Sequence, residues 1–198
     1  MKKLALVFLG VVFFTVLTSG CSAESSRDKE SGKTYADIEG LIMSQVQQFT
    51  EEGATLEKTA MVDGSEESQV YQPDSMGWVR ELGFFRQVDM NKPAYRLAYD
   101  SVVNTANGRR EVTYNARYPE EVPVQKLRVV FAGSEVRKLE AEFLERNELY
   151  STFRRMEAEF DQAEVKGLPG RLNRYYLEGG HKIIFRDSIT YQIEGRIR

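Results

Sequence analysis

Few residues in this chain have the type and spacing for chemistry. It holds one cysteine, Cys21, and one histidine, His181. Cys21 follows Met1-Lys2-Lys3, an apolar run from Leu4 to Leu17 and the small residues Thr18-Ser19-Gly20. A basic start, an apolar middle and a small-residue end make a secretory signal. His181, in Gly179-Gly180-His181-Lys182, offers a general base, but a Ser-His-acid machine would need its partners from elsewhere in the chain. No Gly-x-Ser-x-Gly elbow, HExxH pair or phosphate-binding glycine loop accompanies it. His181 therefore reads as a surface histidine. Glu140/Glu142 and Glu157/Glu159 are the nearest thing to carboxylate pairs. They alternate with apolar residues beside Lys138 and Arg155, and cross-strand ion pairing on a wet face accounts for them. Asp63-Gly64-Ser65-Glu66-Glu67 lacks the spacing of a calcium loop. The reading is of a protein that is not an enzyme and uses no cofactor or metal.

Thr18-Ser19-Gly20-Cys21 resembles the lipobox of bacterial lipoproteins. That resemblance implies cleavage before Cys21, a diacylglycerol and palmitate anchor on that cysteine, and stable membrane attachment. It departs from the usual pattern in one respect: Leu17 stands four residues before the cysteine, and Thr18 takes the place three before it. The run of about 14 apolar residues is short of the roughly 20 that a spanning helix needs. Ser22, where an Asp would imply retention at the inner membrane, implies the outer membrane. The expected organisation is a signal peptide over residues 1–20, a lipidated cysteine and polar tether over 21–33, and a single domain over 34–198.

Composition narrows the partners. The full chain has a net charge of −3, and residues 1–20 contribute two lysines and no acids, so the remainder is more acidic still. No basic cluster exceeds two residues, which argues against nucleic acid. With no second cysteine the fold has no internal disulfide and must stand on its hydrophobic core. The expected partners are the membrane, through Cys21, and an envelope protein or polymer.

The elements follow from periodicity. Tyr35, Ile38, Ile42, Val46 and Phe49 recur at helical spacing, with Thr34 as the expected cap and Gly53 as the stop. Residues 63–75 are polar and acidic and read as a loop. Trp78, Leu82 and Phe85 define a second helix from about Ser75 to Val88, ended by Asn91-Lys92-Pro93. From Tyr95 the period becomes two. Tyr95/Leu97/Tyr99, Val112/Tyr114/Ala116, Leu127/Val129/Phe131, Leu139/Ala141/Phe143 and Met156/Ala158/Phe160 alternate with polar residues. Asn107-Gly108 is a hairpin signal. Tyr175–Gly179 and Thr190–Gly195 look alike and read as two strands of one meander. The expected fold is α+β: two N-terminal helices packed on a curved, mainly antiparallel meander sheet of about seven or eight strands, or a partly open barrel.

The mature part resembles uncharacterised lipoproteins of the Bacteroidota type, through Trp78, Glu81-Leu82, Phe85, Asp89, Asn91-Lys92-Pro93, Asp187-Ser188 and Tyr191. The resemblance brings no activity with it. At the level of fold, helices followed by a long meander are similar to envelope lipoprotein carriers and lipid-binding half-barrels. Two functions follow as expectations. The first is a non-catalytic accessory or binding protein anchored at the outer membrane. The second is a domain for a lipid or small apolar ligand, its site lined by Tyr95, Tyr99, Tyr114, Phe131, Phe143 and Tyr191.

Overall fold

The structure is a computed structural model that describes residues 33–163 and 169–198. The expected signal peptide, Cys21 and the tether up to residue 32 lie outside the described residues, as do Gly167 and Leu168. Residues 33–198 make one compact unit.

Helix α1 spans Ile38–Glu52. Its cap is Asp37 rather than Thr34: the Asp37 carboxylate accepts the Gly40 N–H at 2.8 Å and satisfies a donor the first turn leaves free. It stops at Gly53, whose φ of 64° places it in the left-handed conformation that glycine adopts without steric cost. The stripe Ile38, Ile42, Val46 and Phe49 is buried, as its spacing predicts. Gln45 is buried in the same stripe.

The expected loop over 63–75 is instead mostly a strand. β1 (Leu56–Val62) and β2 (Ser65–Tyr71) pair as a hairpin about Asp63-Gly64, both with positive φ. Six of the seven β2 residues are exposed, so no apolar alternation marks the strand. The expected helix over 75–88 is two helices, α2 (Ser75–Glu81) and α3 (Gly83–Arg86), broken at Leu82. Trp78, Leu82 and Phe85 are fully buried all the same. The apolar spacing survives a break in the backbone because all three side chains still reach one core. Trp78 meets Phe49 of α1, ring centres 4.8 Å apart.

Tyr95 and Leu97 do not begin a strand. Pro93–Tyr95 form one 3-10 turn and β3 starts at Tyr99; Leu97 points to solvent. The remaining strands are β3 (Tyr99–Ala106), β4 (Arg109–Ala116), β5 (Val124–Ala132), β6 (Glu135–Arg146), β7 (Tyr150–Phe160), β8 (Leu172–Ile183) and β9 (Ile189–Ile197). The described strands number nine rather than seven or eight. The described helices number three besides the 3-10 turn, and the β1–β2 hairpin separates α1 from the others.

Every strand pairing is antiparallel, and the order is β2-β1-β9-β8-β7-β6-β5-β4-β3. The sheet is open, with β2 and β3 as edges, so it is not a closed barrel. β3 through β9 form a meander, and β1 attaches beside the last strand. One face joins the helices in a single core: Leu127, Ala141, Met156 and Leu177 share one row, and Val129, Leu139, Ala158 and Tyr175 the next. The other face is charged. Arg128 bridges Glu111 and Glu140, each at 2.6 Å, and Lys138 bridges Glu140 at 2.8 Å and Glu157 at 3.1 Å.

Candidate functional site

A third row crosses the helix-facing side beyond these two: Val124, Phe143, Arg154, Gly179 and Tyr191. Arg154 occupies a position whose neighbours along β7, Met156 and Ala158, are core. A cation there needs support, because burial without partners is costly. The guanidinium lies over the Phe143 ring, 5.1 Å from its centre. Its Nε donates to the Tyr191 hydroxyl at 3.2 Å, and Nη1 donates to Gln87, just past α3. Gly179 lets Tyr191 reach that far: a Cβ on Gly179 would sit 2.7 Å from the tyrosine oxygen.

Arg154 lines an open groove of about 870 Å³. One wall is Gln87, Lys92 and Tyr95; another is the Pro119–Pro123 connection between β4 and β5; the floor is Phe143 to Arg146 of β6 with Arg154 of β7. Among the described residues, Arg154, Lys92 and Arg146 have no carboxylate ion-pair partner, whereas fourteen ion pairs join charged residues elsewhere. Lys92 rests against the Tyr95 ring at 5.6 Å. Glu120, Glu121 and Glu145 also border the groove. The arrangement offers an aromatic floor, three cations without an acid partner and a rim of both signs. Such a surface can receive an extended ligand that carries an anionic group.

A second polar cluster is structural. Glu81 ends α2 with its side chain only 9% exposed. It accepts from Lys58 at 2.8 and 2.9 Å, from Tyr71 at 3.2 Å and from Tyr175. Burial first, and the Glu81 charge second, push the Tyr175 hydroxyl far above its usual pKa. The cluster ties α2 to β1, β2 and β8.

The six aromatic residues expected to line one site fall into three places. Tyr99 and Tyr114 both meet Tyr35 edge-on, at 5.5 and 5.6 Å, and Tyr95 stands 6.4 Å from Tyr99. Phe143 and Tyr191 flank Arg154, with Tyr95 and Phe143 lining the groove. Phe131 is elsewhere, under Arg110 at 4.2 Å. His181 hydrogen-bonds through Nδ1 to Thr152 at 2.6 Å, and its ring neighbour is Tyr150. Glu140 and Glu157 are engaged in the outer-face ion network. Among the described residues no three of His, Cys, Asp and Glu gather as a metal site. Arg154 and Gln87, central to the groove, were not among the expected site residues. An arginine at an inward position of a strand was the signal that could have found the first.

No family model, curated protein or solved structure matches the chain. No helix among the described residues is long and apolar enough to cross a membrane.

Proposed function

We propose that the chain is a lipid-anchored accessory protein of the bacterial outer membrane that binds an envelope partner without catalysing a reaction. Cys21 is the proposed anchor, from its lipobox-like setting. The groove around Arg154 is the proposed binding site. The observation that carries this reading is the half-buried Arg154 guanidinium, held over Phe143 by Gln87 and Tyr191 and unmatched by any described acid. Its partner is a segment of envelope protein or polymer with a carboxylate or comparable anion. Arginine offers that group a planar, two-pronged set of donors.

Two experiments test the reading. Labelled palmitate enters the full chain in its own cells and fails to enter Cys21→Ser; label in that variant overturns the anchor. A photo-crosslinker at Tyr95 yields an adduct that Arg154→Glu abolishes, while one at Lys126 on the outer face does not yield it. Adducts indifferent to Arg154, or identical from both positions, overturn the groove.

A further inference from the structure

The turn between β8 and β9 reads Lys182-Ile183-Ile184-Phe185-Arg186. Three consecutive apolar residues sit at a hairpin tip between two cations. Phe185 is 97% exposed, and Ile183 and Ile184 are also exposed. The Ile184 N–H donates to the Leu149 carbonyl at 2.9 Å, so the β6–β7 turn, with its exposed Leu149, is pinned alongside. Ile189 and Phe153, on opposite faces of the adjoining strand ends, are exposed as well. Phe185 also has φ of 64°. A bulky residue in that region is uncommon, since glycine or asparagine serves such turns at less cost. Neither local conformation nor the core calls for phenylalanine there.

We propose that this tip inserts into the interface of an anionic lipid bilayer. Its charge pattern fits that occupant: aliphatic and aromatic side chains enter the acyl boundary while flanking Lys182 and Arg186 reach the headgroup phosphates. The acids nearby are Asp187 and Glu148 in sequence and Asp63, whose carboxylate accepts the Thr190 N–H at 2.9 Å and faces back along β9; Arg146 adds a third cation. The fold brings the chain's entry to the same end. Tyr35 packs on Tyr99, the first residue of β3, and the register carries that end of β3 across five strands to about Gly179, in the half of β8 that leads to the tip at Ile183. Residues 21–33, if fully extended, span at most about 45 Å. A tether of that reach allows a tip on this end to touch the bilayer that holds Cys21. The inserted tip fixes the orientation of the domain, a property the anchor alone lacks.

The test uses residues 33–198, the compact unit with the core complete in itself, its cooperative melt checked first. It contains no Cys21, so the outcome is independent of the anchor. Trp78 is fully buried, so Phe185→Trp adds an indole that reports the tip. With vesicles of three parts phosphatidylethanolamine to one of phosphatidylglycerol, the emission is expected to move to shorter wavelength and the protein to float with the lipid. Ile184→Asp weakens partition about tenfold or more, as does loss of the ring in Phe185→Gly, which leaves the fold at least as stable. High salt weakens binding through the two cations. Unchanged emission and no flotation overturn the proposal. So does a blue shift that grows with protein concentration in the absence of lipid, which identifies the tip as an interface between copies.

Discussion

Tyr175 on β8 and Gly195 on β9 are direct cross-strand partners, and the tyrosine ring fills the space a side chain on the glycine would take. A Cβ on Gly195 would stand 2.1 Å from the ring. Four residues along, Gly179 and Tyr191 repeat the relationship with the strands exchanged. Each tyrosine crosses its glycine to a charged group: Tyr175 to Glu81, Tyr191 to Arg154. The likeness of the segments 175–179 and 191–195 thus has a geometric cause. Gly195→Ala forces the buried Tyr175 ring to move and is expected to cost about 1–3 kcal/mol, the usual range for overpacking. Gly133→Ala, in an exposed turn with nothing near its Cβ, meets only the strain of φ 62°. Urea unfolding of the two variants separates crowding from backbone strain.

Glu81 is expected to be the most costly carboxylate to remove. Glu81→Ala strands Lys58, Tyr71 and Tyr175 in a poorly solvated place and is expected to cost about 3–5 kcal/mol. Glu57→Ala breaks an exposed pair with Arg198 and is expected to cost no more than about 1 kcal/mol. A double-mutant cycle of Glu81→Gln with Tyr175→Phe measures the coupling directly. Additivity of the two would show that the short contact contributes nothing beyond packing.

Stability should fall in acid, with Glu140 contributing. Burial alone pushes this carboxyl up, but hydrogen bonds from Lys138 and Arg128 outweigh it and hold it below the usual range. The folded state therefore binds a proton less readily than the unfolded chain does. The contribution is complete above the unfolded value of about 4.3 and is lost as pH falls through the lower folded value. Glu140→Gln should flatten the decline in unfolding midpoint between pH 5 and 3 relative to the parent. An unchanged slope would assign acid sensitivity to other carboxylates.

Arg154→Ala should separate binding from folding. Its hydrogen bonds to Gln87 and Tyr191 are at most partly buried, so a stability loss of about 1 kcal/mol is expected alongside loss of the Tyr95 crosslink. Arg154→Lys keeps the charge but not the planar fork, and should restore the melt more fully than the crosslink. Equal recovery of both would make the residue a structural prop.

The contrast between what the sequence revealed and what it hid has physical causes. Strand β6 was legible because one of its faces is dry and the other wet, so Leu139, Ala141 and Phe143 alternate with charges. Strand β2 was hidden because, as an edge strand, it buries almost nothing on either face. Its turn was readable nonetheless: Asp63-Gly64 is as good a hairpin signal as Asn107-Gly108. Tyr95, Leu97 and Tyr99 alternate convincingly, yet Pro93 opens a 3-10 turn that leaves Leu97 in solvent. Gly83, the first residue of α3, was the unread signal of the break at Leu82. The groove was illegible because Gln87 and Arg154 are brought together across 67 positions by tertiary packing alone.

The pairing of β1 with β9 sets the order in which this molecule can assemble. From β3 to β9 each strand pairs with its neighbour in sequence, but Leu56 must find Ile197, and Thr55 exchanges backbone hydrogen bonds with Arg198. Contacts across so much chain carry a large loop-closure entropy and form late. A nascent chain accordingly holds α1 and the first hairpin without their docking strand until β9 has been made. Until then the molecule stays open along that seam, and β9 is the strand that shuts it.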